Sequence, residues 1–186
     1  ISPSSSSTIT PVITIKQNSH IQCESGPVTI LTNGSLTIDG DITSVNARID
    51  AKKSISITST SVWKVSNTYA QSSKEDTTMD GDINGKNVYY TVGKNLYIKS
   101  NSVWKLSGSM NASVGMTSKI DGDIDANTAD LKINGDTTIS SSSVWNIKSV
   151  FQLIAAKNAE VHLFGVITGA AGSKRLEVQS SKQIYM

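Results

Sequence analysis

Ser61-Val62-Trp63-Lys64-Val65 returns as Ser102-Val103-Trp104-Lys105-Leu106 and again as Ser143-Val144-Trp145-Asn146-Ile147. The three Trp residues, at 63, 104 and 145, lie 41 apart. A second motif keeps the same step: Asp39-Gly40-Asp41-Ile42, Asp80-Gly81-Asp82-Ile83 and Asp121-Gly122-Asp123-Ile124. Two unrelated motifs sharing one period, with no insertion between copies, mark a repeat array whose units bury their apolar faces against one another.

The apolar positions between the motifs give the secondary structure. Stacked at this period, the columns Ile38, Met79, Ile120, Val161 and Ile42, Ile83, Ile124 stay apolar, as do Ile57, Ile98, Ile139. So do Ala47, Val88, Ala129; Ile49, Tyr90, Leu131; and Ala51, Val92, Ile133. The last three columns alternate with polar residues at period two, which predicts a strand with one buried face. Asn33-Gly34, Asp39-Gly40, Asn84-Gly85 and Asn134-Gly135 supply turn residues, with Gly free to take positive φ. Forty-one residues suit two coils of about twenty in a β-solenoid. A half-repeat agrees: Ser35-Leu36-Thr37-Ile38 resembles Ser54-Ile55-Ser56-Ile57.

The expected class is therefore all-β, a β-helix of 41-residue repeats. Residues 1–19 read as a linker and first strand, 20–160 as about three and a half repeats, and 161–186 as a C-terminal cap or tip. The first copy carries Gln22 in place of the Trp, and the last lacks Asp-Gly-Asp. A short helix is expected around 150–158, where Phe151, Leu153, Ile154 and Ala155 cluster. Beyond Val161, Gly165, Gly169 and Gly172 fall where a coil interior would want bulk. The chain opens on Ile1, as a piece of a longer protein would.

Assembly is expected to be homotrimeric, for two reasons. A coil of about twenty residues, in a chain with only two Phe, encloses little apolar volume. Val62, Val103 and Val144, with Ile21 before them, form a second apolar column on the side away from the Trp residues. Three single-chain prisms side by side, or three intertwined chains, would both satisfy this pattern.

Composition excludes several classes. With 186 residues and a net charge of +2, the chain has scattered Lys residues and no basic face for nucleic acid. No apolar run reaches the length of a membrane span. Cys23, the single cysteine, cannot form an intramolecular disulfide.

Three sets of residues could carry chemistry. The Asp pairs, above all Asp80, Asp82, Asp121 and Asp123, are oxygen-rich and would come near one another in stacked coils, as Ca²⁺ requires; the competing reading is a plain Asp-Gly turn. Trp63, Trp104 and Trp145 share parity with Val65, Leu106 and Ile147. They form either a buried stack or, if exposed, a ladder for sugar rings. His20 and His162 stand in no nucleophile motif, and the strict spacing leaves no inserted loops to build a cleft. No catalytic residue and no cofactor is expected.

With the repeats in view, Gly108-Ser109-Met110-Asn111-Ala112-Ser113-Val114-Gly115, followed by Ile120-Asp121-Gly122-Asp123-Ile124, resembles the β-helical shaft of contractile-tail phage spike proteins. Lys52-Lys53-Ser54-Ile55-Ser56-Ile57 and Gly93-Lys94-Asn95-Leu96-Tyr97-Ile98-Lys99-Ser100 share that style. The likeness spans about residues 28–147, and it is similar also to β-helix tailspikes and haemagglutinin-like adhesins. It implies a stiff, extracellular homotrimer on a virion, meeting other tail proteins and a host-surface glycan. The iron-binding His-x-His tip of some piercing spikes is missing, since Leu163 and Phe164 follow His162. The first expectation is a non-enzymatic structural and attachment segment of a tail spike or fibre. The alternatives are a carbohydrate-binding adhesin of the bacterial surface and a polysaccharide-degrading tailspike.

Overall fold

Two parallel sheets wind around a common axis in a computed structural model that describes residues 12–156, 158–169 and 175–186. Nine short strands, from Ile13–Ile15 through Leu36–Ile38 and Ile55–Ile57 to Gln183–Tyr185, form one sheet. The other has ten strands, mostly longer, such as Asp41–Ala51, Val62–Ser73 and Asp82–Val92. Long strands such as Asp41–Ala51, Val62–Ser73 and Asp82–Val92 bond to the ones a coil below and above, giving a β-solenoid of about eight turns. The longer strands bend where their register slips, between Ser44 and Asn46 and between Val65 and Thr68. Such irregularities kink a strand, so each coil has three lengths: a short strand and the two halves of a long one. Of the stretch expected as linker and first strand, 1–19, residues 1–11 lie outside the described residues.

The two repeated motifs occupy one place on alternate coils. Ile42 pairs with Trp63, Trp63 with Ile83, Ile83 with Trp104, Trp104 with Ile124 and Ile124 with Trp145. The interior column thus alternates Ile and Trp, and all these side chains are buried. The first two Ser-Val-Trp copies each dock on the Asp-Gly-Asp segment below, and on the residue before it, through three bonds. Ser61 Oγ donates to the Ile38 carbonyl at 3.2 Å, the Val62 amide to Asp41 Oδ1 at 2.8 Å, and Trp63 Nε1 to the Gly40 carbonyl at 3.2 Å. The next pair repeats this, with Ser102 to Met79, Val103 to Asp82 and Trp104 to Gly81. Ser143 and Val144 bond to Ile120 and Asp123, whereas the buried Trp145 Nε1 has no partner among the described residues.

Close approach explains the glycines. A Cβ on Gly81 would stand 2.7 Å from the Ser61 carbonyl oxygen, and one on Gly122 would stand 2.8 Å from that of Ser102. Neither glycine needs a left-handed φ, so the positive-φ turn expected there is replaced by a packing requirement. Gly165 repeats the contact, 2.9 Å from the Ser143 carbonyl. Phe164-Gly165-Val166-Ile167 is therefore the fourth Asp-Gly-Asp-Ile site, with its carboxylates replaced and its glycine kept.

Around this column the interior is filled by Leu36, Ile38, Ile49, Ile55 and their stacked equivalents. The half-repeat holds, since Leu36 pairs with Ile55 and Ile38 with Ile57. In the middle coils the rings form a spine: Trp63 meets Tyr69 edge-on at 5.0 Å, Tyr69 meets Tyr90 at 5.7 Å, and Tyr90 stacks on Trp104 at 5.5 Å. Burial pushes both Tyr hydroxyls well above their ordinary titration range. Tyr69 donates to Gln71, and Gln71 to Thr77 at 3.1 Å. One chain thus closes and fills its own coils, in the single-chain geometry and not the intertwined one.

Several positions differ from expectation. Among the described residues of 150–158 there is no helix: Val144–Ala155 is one strand, with Phe151, Leu153 and Ala155 buried at period two. Val161 lies beside Thr137, and Leu163 takes the place beside Ile139, because the last coil is longer. Ile21 pairs with Ile42 and packs on the core, which removes it from the outer Val column. The first two coils together are one residue longer than later pairs, so Gln22 faces outward beside Thr43 and is no counterpart of Trp63. Within the stretch expected as a C-terminal cap or tip, 161–186, the described strands extend both ladders by a final coil.

Candidate ligand-binding groove

Trp63, Trp104 and Trp145 have no exposed surface, so no sugar can stack on them. The Asp pairs fare similarly as metal ligands. Asp41, Asp82 and Asp123 recur on every second coil, with Val62 or Val103 between. At about 4.8 Å per strand, successive pairs are roughly 10 Å apart, too far for one Ca²⁺ with ligands at about 2.4 Å. Among the described residues, no group of three or more His, Cys, Asp or Glu is placed to hold a metal ion.

What these carboxylates do is hold coils together. Asp39 accepts from the Thr58 and Thr60 hydroxyls of the next coil, Thr58 most strongly, and these bonds keep its carboxyl below the usual aspartate range. Asp121 accepts from Ser140 and lies 3.3 Å from Lys119 Nζ. Asp80 has a buried oxygen with no partner among the described residues. The next coil sets Lys99 where Thr58 and Ser140 stand in the sister sites.

Two surface features bear most directly on ligand binding. At the C-terminal coil, His162 stacks on Tyr185 at 4.5 Å with Phe164 tilted beside it, and Phe164 is 53% exposed. The polar groups there satisfy one another: Lys182 Nζ lies 2.6 Å and His162 Nε2 3.3 Å from the Glu160 carboxylate. The Lys182 contact holds Glu160 below the ordinary carboxylate range and raises Lys182. Nothing in that cluster is left over to grip a ligand.

The second feature is a groove of about 540 Å³ at the corner where the long strands turn toward the short ones. Volumes of this size suit small ligands. Three successive coils line it: Leu31 to Asn33, then Arg48 and Asp50 to Lys52, then Ser72 and Lys74. Because Ala51 pairs with Ser73, Lys52 and Lys74 are neighbours on adjacent coils, about 4.8 Å apart at the backbone. Both are exposed, and among the described residues neither has a carboxylate within 4.0 Å. Arg48 is neutralised by Asp50 at 2.7 Å. Glu75, which follows Lys74, is turned to Ser54 and Lys94 and does not line the groove. Leu31, 60% exposed, forms an apolar wall.

Lysines that look scattered along the chain are thus gathered by winding, because residues about a coil apart become neighbours. A 22-residue separation of Lys52 and Lys74 is a contact only once the coil length is known. Asp50 is the single carboxylate lining the groove, so it lacks the facing pair that glycoside hydrolysis uses. In comparisons with known proteins, no family model, no curated protein and no solved structure matched the chain.

Proposed function

We propose that this chain is a structural and host-attachment segment of a bacteriophage tail spike or fibre, non-enzymatic and extracellular, assembled as a homotrimer. The observation that carries the reading is the interlock of the two motifs. Ser, Val and Asp of all three motif pairs, with Trp and Gly in the first two, are used to hold coil to coil, which leaves a stack of coils with no inserted loop between the motif copies. Such a body transmits force and sets distance. It suits a shaft, as the likeness to phage spikes also implies.

The trimer contact would lie on the first half of the long strands. Val103, Val144 and Val166 are 38%, 49% and 53% exposed there, and Val62 is half-buried. Asp41, Asp82 and Asp123 stand between them, but each turns one oxygen back to the next coil's amide. In a parallel trimer each Val column meets its own copies at one height. The test is the mass of the dilute protein by light scattering. Three times the 19.8 kDa of one chain is expected, and Val144→Glu should shift the mass to one chain without unfolding it. A stable, folded species at 19.8 kDa for the unmodified chain overturns the trimer.

A further inference from the structure

We infer that the groove between Leu31, Lys52 and Lys74 is a saccharide subsite that selects oxyanion-bearing polysaccharides, whether the anion is a carboxylate or a sulfate. The inference rests on the attachment reading and names the chemistry that attachment would use. Lys52 and Lys74 present two ammonium groups from adjacent coils with no carboxylate of their own. An anion placed between them gains two charge-assisted hydrogen bonds, the stronger kind. Arg48 and Asp50 pair with each other and add no net charge, but they offer a donor and an acceptor to hydroxyls.

The rest of the lining fits a sugar ring. Asn33 and Ser72 add an amide and a hydroxyl, and the exposed Leu31 side chain covers the less polar face of a ring. Nucleic acid is disfavoured by the same inventory. A phosphate backbone calls for a basic stripe that neutralises several phosphates in a row. Here the free cations on the wall are two, and moving up the same corner, Gly93, Gly115 and Asn134 stand where Lys52 and Lys74 stood. The site is short and local, as recognition of one charged residue of a polymer needs.

The full chain would be titrated calorimetrically with oligogalacturonate, dextran sulfate, neutral dextran and oligothymidylate. Binding of one or both anionic saccharides is expected, weakening as salt rises, with no binding of neutral dextran. The double variant Lys52→Gln/Lys74→Gln should bind about tenfold more weakly. Lys119→Gln/Lys132→Gln, which removes the same charge elsewhere, should change affinity by less than about twofold. All four lysines are exposed, so melting curves should coincide. Absence of anionic saccharide binding overturns the subsite, as does equal loss in both double variants or tighter binding of oligothymidylate. Because the trimer mass is read separately, a trimer that binds no polyanion discards the groove alone, while a monomer that binds one keeps the groove and discards the shaft assembly.

Discussion

Trp104 and Gly122 show how much of the stability hangs on single side chains. Trp104 is fully buried, stacks on Tyr90 and donates to the Gly81 carbonyl. Truncation leaves a cavity in a closed coil, so Trp104→Ala should cost about 3–5 kcal/mol, read by chemical denaturation. Gly122→Ala removes no contact, yet its Cβ would stand 2.8 Å from two carbonyl oxygens, those of Lys99 and Ser102. Backbone cannot step aside as a side chain tip can, so this methyl should also lower the melting temperature measurably. The same change at Gly26 meets only the Cys23 sulfur at 3.2 Å, and it should be tolerated better. If Gly122→Ala melts with the parent chain, the close-approach account of these glycines is wrong.

At the scale of motif and strand, the Asp-Gly-Asp segments invite a metal experiment. Their carboxylates recur on alternate coils and are engaged by amides and hydroxyls of the next coil. Stability should therefore be unchanged by EDTA and by added Ca²⁺; a melting temperature that drops with chelator and returns with Ca²⁺ would overturn this. Much of this scale was legible in the sequence. The 41-residue period, the two coils per repeat and the inward parity of the Trp residues follow from spacing alone. What spacing hid is that the two motifs share one site, because a 41-residue repeat made of unequal coils does not announce where its half falls. A one-residue difference in the first coils moved Ile21 to the wrong face and put Gln22 in the Trp column. Around Phe151, apolar residues at neighbouring positions resembled a helix because Ile154, on the outer face, is also apolar. The groove was hidden for a different reason: its cations come from separate coils, and only the pairing of Ala51 with Ser73 brings them together.

For the whole molecule, stability should follow from its one-dimensional construction. Each coil touches only the coils before and after it, so local opening is governed by nearest-neighbour contacts. The aromatic spine from Trp63 through Tyr69 and Tyr90 to Trp104 ties the middle coils together. The final coil is weaker: Leu176, in the column of Ala129 and Phe151, is 70% exposed, and Ile167 and Ile184 are only half-buried. Amide hydrogen exchange should accordingly be slowest in strands 62–73 and 82–92 and fastest in strands 166–169 and 175–179. Regions of few buried contacts open at lower free energy. The diagnostic experiment is exchange in Trp104→Ala. Removing the ring that links Tyr90 to the coils above should lower protection on both sides of residue 104, while strands 36–38 and 41–51 stay close to their original rates. A uniform loss along the chain would mean that the prism opens as one unit, and the nearest-neighbour account would have to be abandoned.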